Sequence, residues 1–193
     1  MVWIFLNYFL FFSVPETGEI FGLDGKVIYS EEELIYYSKE LAKFDEKYGI
    51  YIDSISQIYD ISKGIIYGVM LVESGFYINT NPCVRGKHGE IGVMQITYKE
   101  FVRIKNKNNW KHKFYDLCDP KINILYFLEI YKPLLEKYQS VEKATIVYNC
   151  GSLSQKCHTN KITARYIKYL FNRNGTLYVG FNFSAILASQ NLK

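Results

Sequence analysis

The chain has 193 residues, of which 49 % are hydrophobic and 22 % charged. This is the composition of an ordinary globular protein with one modest core, and it argues against a disordered or fibrous chain. The net charge of +4 is spread unevenly, because residues 1–60 are acidic and residues 85–113 are basic. The basic stretch 103–113 indicates either a polyanionic partner or a solvated loop, and no nucleic-acid-binding motif accompanies it.

The N-terminus carries an apolar run, Val2–Val14, interrupted only by Asn7 and Ser13. The run is shorter than a membrane-spanning helix and has the length of the apolar part of a signal peptide, although no lysine or arginine precedes it. We therefore predict export, with residues 1–18 as a signal peptide or an N-terminal anchor. The alternative is a buried N-terminal segment.

The first predicted helix begins after Ser30, because Ser30 and Glu33 form a capping box. It is expected to run to about Tyr48 and to end at Gly49. A short helix is expected over 54–59. Asp60 or Ser62 then caps a helix over 62–74, in which apolar residues recur at helical spacing. Glycines, asparagines and a proline make residues 75–93 irregular.

Two further helices have clear start signals. A second capping box, Thr97 with Glu100, opens a helix to about Lys105. Asp119 and Pro120 open a long helix to about residue 138, in which Pro133 predicts a kink or a break. Residues 140–149 form a helix that ends near residue 151. Another helix is predicted over 161–171. In residues 177–183 every second residue is apolar, which is typical of a strand.

The four cysteines do not have the spacing of a zinc site. They allow three disulfide pairings, among which the sequence does not choose. Disulfides are expected if the protein is exported, and small buried thiols if it is not. The cysteines are Cys83, Cys118, Cys150 and Cys157.

Glu73 is the acidic residue with the most suggestive surroundings, since it ends the apolar helix 62–74. Apolar surroundings raise the pKa of a carboxyl group, because desolvation disfavours its charged form. A carboxylic acid that stays protonated near neutral pH can act as a general acid. The alternative is an exposed glutamate at a helix end.

Five segments occur in the order and with the gaps of one known family. VESGFYIN (72–79), GEIGVMQIT (89–97) and TIVYNCG (145–151) resemble successive signatures of the soluble lytic transglycosylases, which are related to goose-type lysozyme. DLCDPKINI (116–124) is similar to the family's Asp-Pro-x-x-Asn-Ile helix start, and ARYIKYL (164–170) to its closing helix.

The resemblance implies a mainly α, lysozyme-like single domain with a small irregular or β patch at about 80–96. The catalytic domain would span 61–172, preceded by an N-terminal helical segment at 19–60 and followed by a non-helical tail at 173–193. Exported proteins of this kind work in the periplasm or cell envelope.

The resemblance also implies roles. Glu73 would be the sole catalytic acid/base, cutting the bond between N-acetylmuramic acid and N-acetylglucosamine in peptidoglycan and leaving a 1,6-anhydro product. Ser74 would help to hold the acid or the substrate N-acetyl group. The remaining substrate-binding residues would be Met94, Gln95, Tyr148, Asn149 and Tyr166. We expect no cofactor and no metal.

Three alternatives remain open. A hydrolysing muramidase of the same fold would need a second carboxylate, for which Glu90 is the best candidate, although a solvated loop charge explains Glu90 as well. A non-catalytic wall-binding assembly factor would keep the fold alone. A nucleic-acid-binding protein would use residues 103–113. We expect a monomer that binds peptidoglycan strands and no nucleic acid. Because small enzymes of this family often open the cell wall locally for such assemblies, the resemblance also implies a partner, an envelope-spanning secretion or conjugation machine.

Overall fold

The computed structural model describes residues 20–21, 27–29, 31–74 and 79–154. Within them the chain is mainly helical, as predicted. Strands β1 (Ile20–Phe21) and β2 (Val27–Tyr29) form an antiparallel pair that the sequence did not predict. The helices are α1 (Glu31–Tyr59), α2 (Lys63–Ser74), α3 (Tyr98–Lys107), α4 (Pro120–Tyr138) and α5 (Val141–Cys150), with a 3₁₀ helix (Phe114–Cys118) before α4.

Helix α1 does not end at Gly49, so that prediction and the separate helix over 54–59 were wrong. The buried stripe that begins at Leu41 and Phe44 continues beyond the glycine with Ile52 and Ile55. A glycine inside a helix costs about 1 kcal/mol, whereas burying an isoleucine contributes about 1.5–3 kcal/mol. Packing of the two isoleucines therefore outweighs the glycine.

The end of α1 is set by Asp60, which has a left-handed φ of 54°. The N–H of Asp60 bonds the Gln57 carbonyl (3.3 Å) and the N–H of Ile61 bonds the Ser56 carbonyl (3.0 Å). These two bonds form a Schellman motif, which satisfies carbonyls that the helix end leaves open. Aspartate replaces the usual glycine at this position.

The predicted starts of α2, α3, α4 and α5 are confirmed. In each case the cap side chain accepts a hydrogen bond from a main-chain N–H in the first turn of its helix. That N–H lies two residues after the cap for Asp119, and three residues after it for Ser62, Thr97 and Ser140. Of the second capping box, the hydrogen bond from the Glu100 N–H to the Thr97 side chain forms as predicted. The Glu100 carboxylate instead pairs with Arg103 at 2.6 Å.

The predicted break of α4 at Pro133 does not occur, because one helix runs from Pro120 to Tyr138. A proline lacks the N–H that would bond the carbonyl four residues earlier. Pro133 is exposed, so this loss falls on the solvent side of α4.

Helix α4 lies at the centre of the described structure. It contacts α1, α3, α5 and the 3₁₀ helix. Its buried side chains include Ile124, Phe127, Leu128 and Tyr131, each fully shielded from solvent. The core therefore forms around α4.

One disulfide links Cys83 to Cys118 and so joins the irregular segment after α2 to the 3₁₀ helix. Cys150 is disulfide-bonded as well. The sequence had left the pairing open. Among the described residues, no helix has both the length and the apolar character that crossing a membrane requires. The predictions for 1–18, 161–171 and 177–183 lie outside the described residues.

Candidate active site

Glu73 is the penultimate residue of α2, a helix that is buried along most of its length. Ile66, Val69 and Met70 are fully buried, whereas Glu73 is half-buried. The helix therefore places this carboxyl group at the boundary between the core and the solvent. Ser74 is buried and donates its hydroxyl hydrogen to the Met70 carbonyl at 2.8 Å, so toward any further partner it acts as an acceptor.

Helix α2 is oriented by polar contacts with α1. The Lys63 ammonium lies 2.7 Å from Asp45 and 2.9 Å from Asp53, and the Tyr67 hydroxyl donates to Asp45. Burial acts to raise the pKa of Asp45, but the hydrogen bonds from Lys63 and Tyr67 outweigh it and hold that pKa below its usual value. Gly49 leaves room for this carboxylate, since a Cβ there would lie 2.7 Å from its oxygen.

Residues 83–96, called the motif loop below, fold back on themselves. Ile91 and Ile96 exchange two main-chain hydrogen bonds of 3.0 Å, and the Gly92 N–H donates to the Val84 carbonyl at 3.0 Å. Isolated bridges pair Ile91 with Arg85 and with Ile96. The small irregular β patch predicted at about 80–96 is confirmed.

Met94 and Gln95 lie at the turn of the motif loop. Met94 is fully buried, and its polar contacts are made by its main chain. Gln95 is half-buried, has a left-handed φ of 50° and donates its side-chain amide to the carbonyls of Gly92 (2.8 Å) and Val84 (3.2 Å). These two bonds hold the loop, and the Gln95 side-chain oxygen lies beside Gly86, where a Cβ would come within 2.5 Å of it.

Tyr148 connects the motif loop to α5. Its hydroxyl donates to the Met94 carbonyl at 2.7 Å, and its ring packs edge-on against Phe127 with centroids 5.2 Å apart. Burial raises the pKa of the Tyr148 phenol well above 10.0, and the negative charges of Glu73 and Glu100 raise it further. The phenol therefore stays protonated, with its hydrogen committed to the loop.

The structure joins Tyr148 to Met94 by a hydrogen bond, although the two residues come from separate segments. Glu73 lies within electrostatic reach of the Tyr148 phenol, because its charge contributes to the raised pKa of that group. Asn149 follows Tyr148 in α5 and is half-buried. Tyr166, also predicted to belong to the site, lies outside the described residues.

Glu90, the candidate for a second carboxylate, is used within its own turn. Its side-chain oxygen accepts a hydrogen bond from the His88 N–H at 2.9 Å, and its main-chain carbonyl accepts one from Gly86 at 2.9 Å. These bonds give Glu90 a part in closing the motif loop.

Two residues that interact with the motif loop or with Tyr148 had no site role in the sequence analysis. Glu100 in α3 acts electrostatically on Tyr148, and the sequence carries no signal for this. Asn123 in α4 is fully buried and accepts the Met94 N–H at 2.7 Å. Its signal was the Asp-Pro-x-x-Asn-Ile segment, which we had read only as a helix start.

Comparison with known families gives one match. The family model described as "Transglycosylase SLT domain" matches residues 50–171. The match contains every described segment of the site and begins inside α1. No curated protein matches the chain.

Proposed function

The chain belongs to the transglycosylase SLT domain family, whose members act on peptidoglycan, and from this we propose that it is a lytic transglycosylase with Glu73 as its acid/base. It cleaves the β-1,4 bond between N-acetylmuramic acid and N-acetylglucosamine. Glu73 protonates the glycosidic oxygen and then removes the proton from the C6 hydroxyl of the muramic sugar. The product is a 1,6-anhydro-muropeptide.

The observation that carries the proposal is the hydrogen bond that ties Tyr148 to the turn of the motif loop, within electrostatic reach of Glu73. A half-buried carboxyl group lies at the end of an apolar helix. Within electrostatic reach of it, the Tyr148 phenol keeps its proton and donates a hydrogen bond to the Met94 carbonyl. A neutral phenol leaves the site without a second negative charge at this position, whichever protonation state Glu73 adopts.

One carboxyl group is enough for this reaction. Ordinary glycosidases use two, because an external water or a carboxylate nucleophile must be activated opposite the acid. Here the C6 hydroxyl of the substrate takes the place of the water, and the substrate's own N-acetyl group can stabilise the developing charge. A single group that first donates and then accepts a proton completes the cycle.

The test is a digest of purified peptidoglycan with the full chain, analysed by mass spectrometry beside Glu73→Gln. We expect anhydro-muropeptides from the wild type and a rate at least about a thousandfold lower from the variant, since it lacks the general acid. Glu46→Gln is the matched control, because Glu46 is exposed on α1. Anhydro products from Glu73→Gln at the wild-type rate would contradict the assignment of the acid.

A hydrolysing muramidase is the second candidate, and Glu100 is the observation that favours it. This carboxylate acts on the same phenol as Glu73, although it is paired with Arg103 at 2.6 Å. Hydrolysis would give reducing ends in the digest. Comparison of Glu100→Gln with Glu90→Gln then identifies which carboxylate holds the water.

The site of action follows from the substrate, because peptidoglycan lies outside the cytoplasmic membrane. The Cys83–Cys118 disulfide supports export, since disulfides persist in oxidising compartments. Export through residues 1–18, and work beside an envelope-spanning machine, belong to the proposal. Pulse-labelled cells fractionated into cytoplasm and envelope test the first of these.

A further inference from the structure

Asn123 is the buried polar residue that contacts the motif loop most extensively. Its side-chain oxygen accepts the Met94 N–H at 2.7 Å. Its side-chain nitrogen donates to the Ile91 carbonyl at 3.0 Å and to the Leu117 carbonyl at 2.9 Å. Asn123 is fully buried, so removal of the amide would take this partner from the Met94 N–H and the Leu117 carbonyl. The Ile91 carbonyl would keep its bond from the Ile96 N–H.

The loop is shaped to receive this amide. Gly92 has a φ of 86°, and a Cβ at Gly92 would lie 2.1 Å from the Asn123 side-chain nitrogen and 2.5 Å from the Leu117 carbonyl oxygen. The glycine therefore allows a close approach that a side chain would prevent. The amide and the loop backbone fit one another.

Met94 carries the effect of Asn123 to the site. Its N–H donates to Asn123, and its carbonyl accepts the Tyr148 hydroxyl at 2.7 Å. A shift of the motif loop at Met94 therefore moves the acceptor that orients the phenol beside Glu73. The hydrogen bonds run from α4 through the loop to α5.

We propose that Asn123 is a positioning residue for catalysis, which fixes the Met94 peptide and through it the Tyr148 hydroxyl beside Glu73. The inference rests on the proposed function for its catalytic part. Only an amide places one acceptor and two donors on a group of this shape. A carboxylate supplies no donor, and an aliphatic side chain supplies neither.

The test compares Asn123→Asp and Asn123→Leu with the wild type, using the full chain and soluble glycan strands. At about pH 8 we expect Asn123→Asp to lose on the order of a hundredfold in kcat with little change in KM, because a displaced group costs turnover more than binding. At about pH 5 we expect most of this loss to be recovered. Burial favours the protonated form of the substituted carboxyl, which regains one donor.

Tyr59→Phe is the control, because it removes a half-buried hydrogen bond of 2.7 Å to Glu129 that does not involve the motif loop. We expect its kcat and pH profile to match the wild type. If Asn123→Asp unfolds at about pH 8, the measurement at about pH 5 decides: near wild-type turnover supports the proposal, and a persistent hundredfold loss overturns it.

Hydrogen exchange separates this inference from the proposed function. Faster exchange of the Met94 amide in folded Asn123→Leu is the expected result, and unchanged exchange overturns the proposal. An Asn123→Asp pH profile of wild-type shape with a lower amplitude also overturns it, because that is the behaviour of a purely structural residue. If the wild type releases no muropeptides, the proposed function fails and with it the catalytic part of the inference, whereas exchange still decides whether Asn123 holds the loop.

Discussion

In the helical body, formed by α1, α3, α4 and α5, the backbone hydrogen bonds lie within each helix and the side chains serve mainly for packing. In the motif loop, by contrast, the Met94 N–H and the Ile91 carbonyl bond the Asn123 side chain from α4, and the Met94 carbonyl bonds Tyr148 from α5. The contrast has a consequence for mutations. A change at a body residue that does not contact the loop is expected to alter only the free energy of unfolding. A change in the loop, or in Asn123 and Tyr148 that hold it, is expected to alter catalysis as well.

Phe44→Ala is expected to have the largest effect on the body. Phe44 is fully buried and its ring lies 4.6 Å from that of Tyr48. Its removal should lower the free energy of unfolding by about 3–5 kcal/mol. Turnover measured well below the unfolding temperature should stay at the wild-type level. A parallel fall in kcat would show that packing in the body also affects catalysis, which contradicts the contrast between body and loop.

Replacement of both Cys83 and Cys118 by serine is the next largest change, and it loosens the loop. The bond joins residues 35 positions apart, and loss of such a cross-link costs about 3–4 kcal/mol in the chain-entropy description. We expect the double variant to have a lowered urea midpoint and a lowered kcat, and reduced protein to fall at least as far because it also loses the disulfide of Cys150. Unchanged turnover in the folded double variant would restrict the disulfide to a stabilising role.

Gly92→Ala and Gly89→Ala form a matched pair within the loop. Both glycines have a φ of 86°, so both variants carry backbone strain of about 1–2 kcal/mol. A Cβ at Gly89 meets nothing within 4 Å, whereas one at Gly92 meets the Asn123 amide at 2.1 Å. Gly92→Ala should therefore be less stable than Gly89→Ala by about 2 kcal/mol and should alone lose activity. Equal urea midpoints would contradict the close approach.

Glu129→Gln should give the smallest effect. Burial acts to raise the pKa of Glu129, but hydrogen bonds from Tyr59, Asn108 and Lys107 outweigh it and hold that pKa below 4.5. A lowered folded-state pKa stabilises the fold above the unfolded-state value, and this stability is lost as the pH falls through the folded-state value. The variant should lose about 1 kcal/mol at neutral pH and should show a flatter fall in stability in acid.

The turnover of Glu129→Gln is a further test of the contrast between the body and the motif loop. Glu129 belongs to the body, so turnover at neutral pH should be unchanged. Urea denaturation at a series of pH values and a digest at neutral pH check the two parts. An acid profile identical to that of the wild type would exclude Glu129 as a source of the pH dependence.

Local signals in the sequence were sufficient for the helix starts. Thr97, Asp119 and Ser140 cap their helices in the structure because a cap depends only on residues two or three positions away. The order of the motifs also predicted the family, which the match over 50–171 shows.

Contacts between residues far apart in the chain decided the rest. Gly49 stays inside α1 because Ile52 and Ile55 are buried beyond it, and the pairing of Cys83 with Cys118 depends on where the motif loop lies against the 3₁₀ helix. The role of Asn123 depends on Met94, 29 residues away along the chain. The sequence by itself determined where helices begin and which residues carry the family motifs. Only the tertiary structure decided how the motif loop is held, because it is bonded by side chains from α4 and α5.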